Sequence, residues 1–276
     1  MALSKRILVI EDFSSVGNSS LTAALPIISA FGHSPVGLPT AVLSTQTGGI
    51  KGYTFNDLSA NMIPSYQHWK KLGINFDFVY VGFLGSDAAI DAVEKILKKE
   101  KSLGTPIAID PVMADNGKLY PMFNMAYAKR IAALCENYAD IIMPNFTEAK
   151  ILSGISLTLE PNVHNARMIL DILKHNGHKS VLLSGIIGTG ESGAALLNKG
   201  KIAFSMTAQF DATVYGAGDI LASVFLSKIM SRSSAENALR SAVAFCRDCI
   251  DVTMKAKSDM RFGLLIEKVI PNIKAY

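Results

Sequence analysis

Several things the sequence has little of narrow the field. Cysteine occurs three times, at Cys135, Cys246 and Cys249, too few for the disulfide framework of a secreted mini-domain. No apolar run reaches the roughly 18 residues of a membrane span. Met1–Lys5 leads straight into a strand-like segment with nothing like a cleavable signal, so the expectation is a cytoplasmic protein without a membrane partner. Charged residues make up 18%, too little for a disordered chain. The net charge of +4 comes from scattered lysines and arginines, with no basic stripe interleaved with aromatics, which argues against nucleic acid. A mild positive balance suits an anionic substrate. His33, His68, His164, His175 and His178 show no metal-binding spacing. There is no Walker A sequence and no G-x-S-x-G elbow.

What is present is apolar: 49% of 276 residues, enough for the core of one α/β domain over 1–276. Short continuous apolar runs at Ile7–Ile10, Phe78–Val81, Ile107–Ile109, Ile141–Met143 and Val181–Leu183 suit strands buried on both faces of a parallel sheet. Helical patterns lie between and after them. They cover Ser19 or Ser20 to Phe31 with a kink expected at Pro26, then Ala88–Lys99, Met125–Glu136, Val163–Lys174, Ile220–Met230 and Ser234–Val252. Ala194–Leu197, Lys199-Gly200 and Ile202–Phe204 read as a hairpin. Strands alternating with helices imply a sheet covered on both faces, with a site at the carboxyl ends of its strands.

Polar signals sit just after the strands. Gly216-Ala217-Gly218-Asp219 precedes an apolar helix. Glycines and free helix-start amides make an anion site there. A carboxylate beside it has a purpose if it takes a proton from an attacking hydroxyl. Alone, the tetrapeptide reads more readily as a helix cap. Asp110, in Asp110–Met113, and Glu148, in Pro144–Glu148, are the candidate magnesium carboxylates, acting directly or through water. A turn acid and a helix first-turn acid are the plain alternatives. Gly188–Gly193 spells G-x-G-x-x-G, but a dinucleotide fingerprint requires a helix next, and a hairpin follows. Cys246 and Cys249 fit a helix-borne pair of buried thiols.

In order and spacing these motifs resemble the ribokinase-like superfamily, and within it the pyridoxal kinase group, from Ile7 to about Val252. Asp110–Met113 resembles its D-P-V-[ML] element. Ala139–Asn145 with Glu148-Ala149 is similar to A-D-[IL]-[IL]-x-P-N-x-x-E-A. Asp211-Ala212 with Gly216–Asp219 resembles D-A-x-x-x-G-[TA]-G-D, and Gln46–Gly48 corresponds to H-T-G. The resemblance implies a three-layer α/β fold, a mostly parallel central sheet flanked by helices. It implies ATP with magnesium, often a monovalent cation such as K+, and a homodimer. It makes Asp219 the base, with the amides of Gly216, Ala217 and Gly218 around the phosphoryl group. Asn145, Ser184, Asp115 and Thr213 would lie along the nucleotide, Asp115 in a flap over 114–120. Asp12, Thr47, Phe83 and Met113 would border the acceptor, and Asp110 and Glu148 would organise magnesium. The expected reaction is 5′-phosphorylation of a B6 vitamer. Hydroxymethylpyrimidine kinases resemble the N-terminal region about as well, but their signature often ends in Cys where this chain has Asp219. Asp12 stands where pyridoxal kinases carry Ser, and Gln46 where they carry His. A carboxylate at position 12 favours a protonated ring nitrogen or a different ring. A ligand-binding protein that kept the fold but not catalysis is a rival of another class.

Overall fold

The computed structural model describes residues 4–276; the expectation of no cleavable signal in Met1–Lys5 falls mostly outside the described residues. The chain runs β1 (Arg6–Val16), α1 (Ser20–Ala30), β2 (Ser34–Thr45), β3 (Phe55–Asp57), α2 (Ser59–Lys71), β4 (Phe78–Val81), α3 (Asp87–Ser102) and β5 (Ile107–Ile109). A small hairpin follows, β6 (Ala114–Asp115) and β7 (Lys118–Leu119). Then come α4 (Met125–Tyr138), β8 (Ile141–Ile142), α5 (Phe146–Ser153), α6 (Val163–His175), β9 (Ser180–Ile187), β10 (Glu191–Asn198) and β11 (Lys201–Ala208). The helices α7 (Ala217–Met230), α8 (Ala235–Lys255) and α9 (Ile266–Val269) complete it.

One nine-stranded sheet has the order β11-β10-β9-β8-β5-β4-β1-β2-β3. Neighbours from β9 through β2 pair in parallel, and β3, β10 and β11 join antiparallel. The continuous apolar runs are explained by the two-residue period of a strand. In β1, Leu8 and Ile10 enter a core formed with α2 to α6, while Ile7 and Val9 enter a second core formed with α1, α7 and α8. In β4, Val79 and Val81 face the first core, and Phe78 and Tyr80 the second. Burial on both faces leaves no polar position to mark the pleat.

The expected elements are present, with informative differences at their edges. β1 continues past Ile10 to Val16, with an irregularity between Glu11 and Phe13 where it pairs with β2. In this extension Asp12 and Ser14 are buried and Phe13 is 40% exposed, the inverse of a core strand. α7 begins at Ala217, so the glycine-rich motif forms its first turn. α1 continues through Pro26. β2 and α2 had no clear signal in the sequence: β2 carries two prolines and α2 carries Pro64. Gly188–Gly190 only connects β9 to the antiparallel β10, so no helix follows that glycine motif. Cys246 and Cys249 are buried thiols on α8. Among the described residues no helix is long and apolar enough to cross a membrane.

Candidate active site

β1 is flanked by β2 on one side and β4 on the other, although the chain visits β2 first. Such a reversal opens a crevice at the carboxyl ends of the strands. A cleft of about 860 Å³ lies there, lined from β1, β9, β10, the start of α7 and the loops after β4, β5 and β8. Twelve of the fourteen expected residues line it: Asp12, Thr47, Phe83, Asp110, Asp115, Asn145, Glu148, Ser184, Gly216, Ala217, Gly218 and Asp219. Met113 does not; its side chain is fully buried in the core. Thr213 is exposed between two lining residues.

At the start of α7 the cap is Gly216, with φ +75° and no side chain to offer. A Cβ there would lie 2.5 Å from the Asn18 carbonyl oxygen, so the tight approach of the Asn18 loop demands glycine. The amides of Ala217, Gly218 and Asp219 have no partner among the described residues. They point as free donors at the positive end of the helix dipole. Asp219 is therefore not the cap. It is the third helical residue, and its Oδ2 accepts a 2.6 Å hydrogen bond from the Ser20 backbone N–H. Burial pushes its carboxyl up to about 6, against the Ser20 hydrogen bond and with help from nearby Asp12. Such a group is mostly ionised near neutrality yet basic enough to accept a proton.

Opposite lies Asp110, 8% exposed, with neither oxygen bonded to a partner among the described residues. Burial, then Glu148, Asp219 and Glu11, hold its carboxyl well above the usual range. Glu148 differs. Its Oε1 accepts from the amides of Met113 (3.0 Å) and Ala114 (3.4 Å), and its Oε2 from Asn145 (2.9 Å), closing a capping box on α5. Burial still raises its carboxyl to about 8. Among the described residues no three His, Cys, Asp or Glu side chains are arranged to cage a metal. The unbonded Asp110, with Glu148 behind it, fits an ion that takes one carboxylate directly and completes its shell with phosphate oxygens and water.

The opposite wall is held from behind. Asn145 caps α5 through Oδ1, and its Nδ2 donates to the Ala114 carbonyl at 2.7 Å. It also bridges to Ser184 on β9. Lys150 is buried, and its Nζ donates to the carbonyls of Leu157 (2.6 Å) and Leu159 (3.0 Å), fixing a loop that lines the cleft. Asp115 lies on the β6–β7 hairpin, whose turn residues Asn116 and Gly117 both have positive φ. That is the Asn-Gly hairpin turn, a signal present in the sequence at the centre of the expected flap.

At the end of the cleft expected to take the acceptor, Thr47 and Phe83 line the wall with Asp12. Gln46 does not project freely. Its Nε2 donates to the carbonyls of Gly48 and Arg261, both at 2.6 Å, and its Oε1 accepts from the Gly48 amide. Tyr215 packs on the backbone of Gly48 and Gly49. Glu11 lies behind the cleft, wholly buried, with neither oxygen hydrogen-bonded among the described residues. Glu11, Ser14, Ser20 and Lys150 carry no motif; the structure alone brings them in.

A parallel α/β sheet with free helix-start amides and a buried carboxylate at its switch point is an arrangement suited to phosphoryl transfer to an alcohol. The chain belongs to the phosphomethylpyrimidine kinase family, which it matches over residues 15–262. It is similar to a pyridoxal kinase of Dictyostelium discoideum, 25% identical over 262 residues, with 83% of this chain and 85% of that protein covered. It is also similar to a hydroxymethylpyrimidine/phosphomethylpyrimidine kinase of Haemophilus influenzae, 25% identical over 181 residues, spanning 66% of this chain and 64% of that protein. A Bacteroides thetaiotaomicron protein, provisionally named a phosphomethylpyrimidine kinase and crystallised with pyridoxal, superposes with a TM-score of 0.91 at 31% identity, covering 99% of this chain and 96% of that one. The family and relatives show a kinase acting on B6 or pyrimidine substrates.

Proposed function

We propose that this single kinase domain, residues 1–276, transfers the γ-phosphoryl group of ATP to the 5′-hydroxymethyl group of a B6 vitamer: pyridoxal, pyridoxamine or pyridoxine. The observation that carries the reading is Asp219, ionisable near neutrality and set among three unpartnered amides. It would accept the acceptor's hydroxyl proton as the new oxygen–phosphorus bond forms and the bond to the ADP oxygen breaks. The amides of Ala217, Gly218 and Asp219 would receive charge on the transferred group. Asp110, backed by Glu148, would hold magnesium, which when bound neutralises phosphate charge. Asn145, Ser184, Asp115 and Thr213 are assigned to the nucleotide side, Thr213 from its loop position alone. Asp12, Thr47 and Phe83 are assigned to the ring. Met113 contributes through its backbone to Glu148. The relative crystallised with pyridoxal supports the B6 reading. The Haemophilus relative supports hydroxymethylpyrimidine, or activity on both rings, as the alternative.

The test is ADP release by purified protein with magnesium and each of the three vitamers or hydroxymethylpyrimidine. Turnover confined to vitamers is the expected result; preference for the pyrimidine transfers the assignment to it. Asp219→Ala should lower kcat by about 10²–10⁴, the usual contribution of a general base, with ADP affinity retained. Turnover within about tenfold of wild type would remove the base from this position. Potassium dependence, expected from the resemblance, is read by exchanging K+ for Na+. The cytoplasm is the proposed location.

A further inference from the structure

Asp12 is 4% exposed yet lines the cleft. It joins no ion pair among the described residues. Each of its oxygens accepts one hydroxyl: Ser14 Oγ donates to Oδ2 at 2.8 Å and Ser20 Oγ to Oδ1 at 2.5 Å. A carboxylate oxygen accepts two hydrogen bonds, so each keeps a free position. A buried carboxylate without a cation is unfavourable unless something completes it. On the cleft side, a bound molecule can do so.

Ser20 connects this carboxylate to the chemistry. Its φ of +48° is one that residues other than glycine rarely adopt. That turn sends its hydroxyl to Asp12 and its backbone N–H to Asp219 Oδ2, at 2.6 Å. Two acids from opposite parts of the chain are therefore fixed by one residue, one at each end of its short reach.

We propose that Asp12 and Ser20 form one specificity unit: Asp12 receives an N–H or cationic group of the acceptor, and Ser20, a positioning residue, sets its separation from the base Asp219. The unit selects acceptors by the ring nitrogen, which is separated from the carbon bearing the hydroxymethyl group by one ring atom. This rests on the reading of Asp219 as the base for that hydroxyl. Asp12→Asn keeps the shape and removes the charge; Ser20→Ala keeps the amide that holds Asp219 and removes the hydroxyl that holds Asp12.

The experiment measures calorimetric affinity and steady-state turnover for wild type, both variants and their combination. The acceptors are pyridoxine, its analogue with C–H in place of the ring nitrogen, and pyridoxamine, which adds an exocyclic amine. Wild type should favour pyridoxine over the carbocyclic analogue by about tenfold or more, the value of a charge-assisted hydrogen bond. Both variants should reduce that preference several-fold, raising acceptor KM more than they lower kcat, with melting temperature and ADP affinity unchanged. The double variant should be no worse than Asp12→Asn, because Ser20 acts through Asp12. A gain for pyridoxamine with a silent ring nitrogen would overturn the unit, because the exocyclic amine sits beside the hydroxymethyl group rather than in the ring. Full preference in Asp12→Asn, or an equal loss of kcat on every acceptor in Ser20→Ala, would overturn it. Wild-type turnover without preference overturns the specificity unit alone. Wild type that neither binds nor phosphorylates any of these rings overturns the B6 reading with it.

Discussion

At the scale of single residues, the site is a set of carboxylates distinguished by their partners. Asp219 has an amide, Glu148 has three, Asp12 has two hydroxyls, and Asp110 and Glu11 have none. With its carboxyl raised to about 6, Asp219 should give kcat/KM an acidic limb that rises as pH passes through about 6, because only the ionised form accepts a proton. A pH–rate profile checks this, and a flat profile from pH 5 to 8 would argue against the assignment. Glu11 makes the opposite kind of statement. Burial, then Asp219, holds its carboxyl well above the usual glutamate value, so the folded protein binds a proton there that the unfolded chain releases. Its contribution to stability is full below the usual glutamate value and is lost as pH rises through the folded value. Glu11→Gln removes that dependence. Its melting temperature should gain on wild type steadily as pH increases across that window, and a constant difference would show Glu11 to be ionised in the fold.

At the scale of elements, a helix start is placed by the loop that packs on it. Gly216 admits the Asn18 carbonyl where any side chain would collide, and the same Asn18–Ser20 segment delivers the amide to Asp219. Gly216→Ala is expected to destabilise the protein by about 1–2 kcal/mol from its left-handed φ alone, more from the collision. Activity should fall further than stability, because α7 must withdraw from Ser20. Denaturant melts beside turnover measure both; a variant of near wild-type activity would show that the loop yields. Gly82 has a similar role under Glu11, since a Cβ there would lie 2.2 Å from its Oε1. The motif order made the anion site, Asp110 and Glu148 legible from the sequence. The roles of Ser20, Ser14 and Lys150 were not legible, because a serine that bonds a carboxylate and one that faces water look alike in a sequence.

At the scale of the molecule, the β1 extension past the cleft leaves Phe13 (40%) and Val42 (37%) exposed opposite each other across β1 and β2. We propose that this pair lies at the contact of the homodimer that the resemblance implies. Sedimentation equilibrium should give twice the chain mass, falling towards one chain in Phe13→Glu; a wild-type monomer would exclude this assembly.

The sequence by itself determined the layers and the approximate address of the chemistry. Apolar runs of strand length fix which segments are buried on both faces, and that is a local property of the chain. It determined the order of the acid and glycine motifs for the same reason. Only the tertiary structure decided what each acid can do. Ser20 and Asp219 are 199 positions apart, and the protonation of a carboxylate depends on the amides, hydroxyls and charges that folding gathers around it, none of which need be its neighbours in the chain.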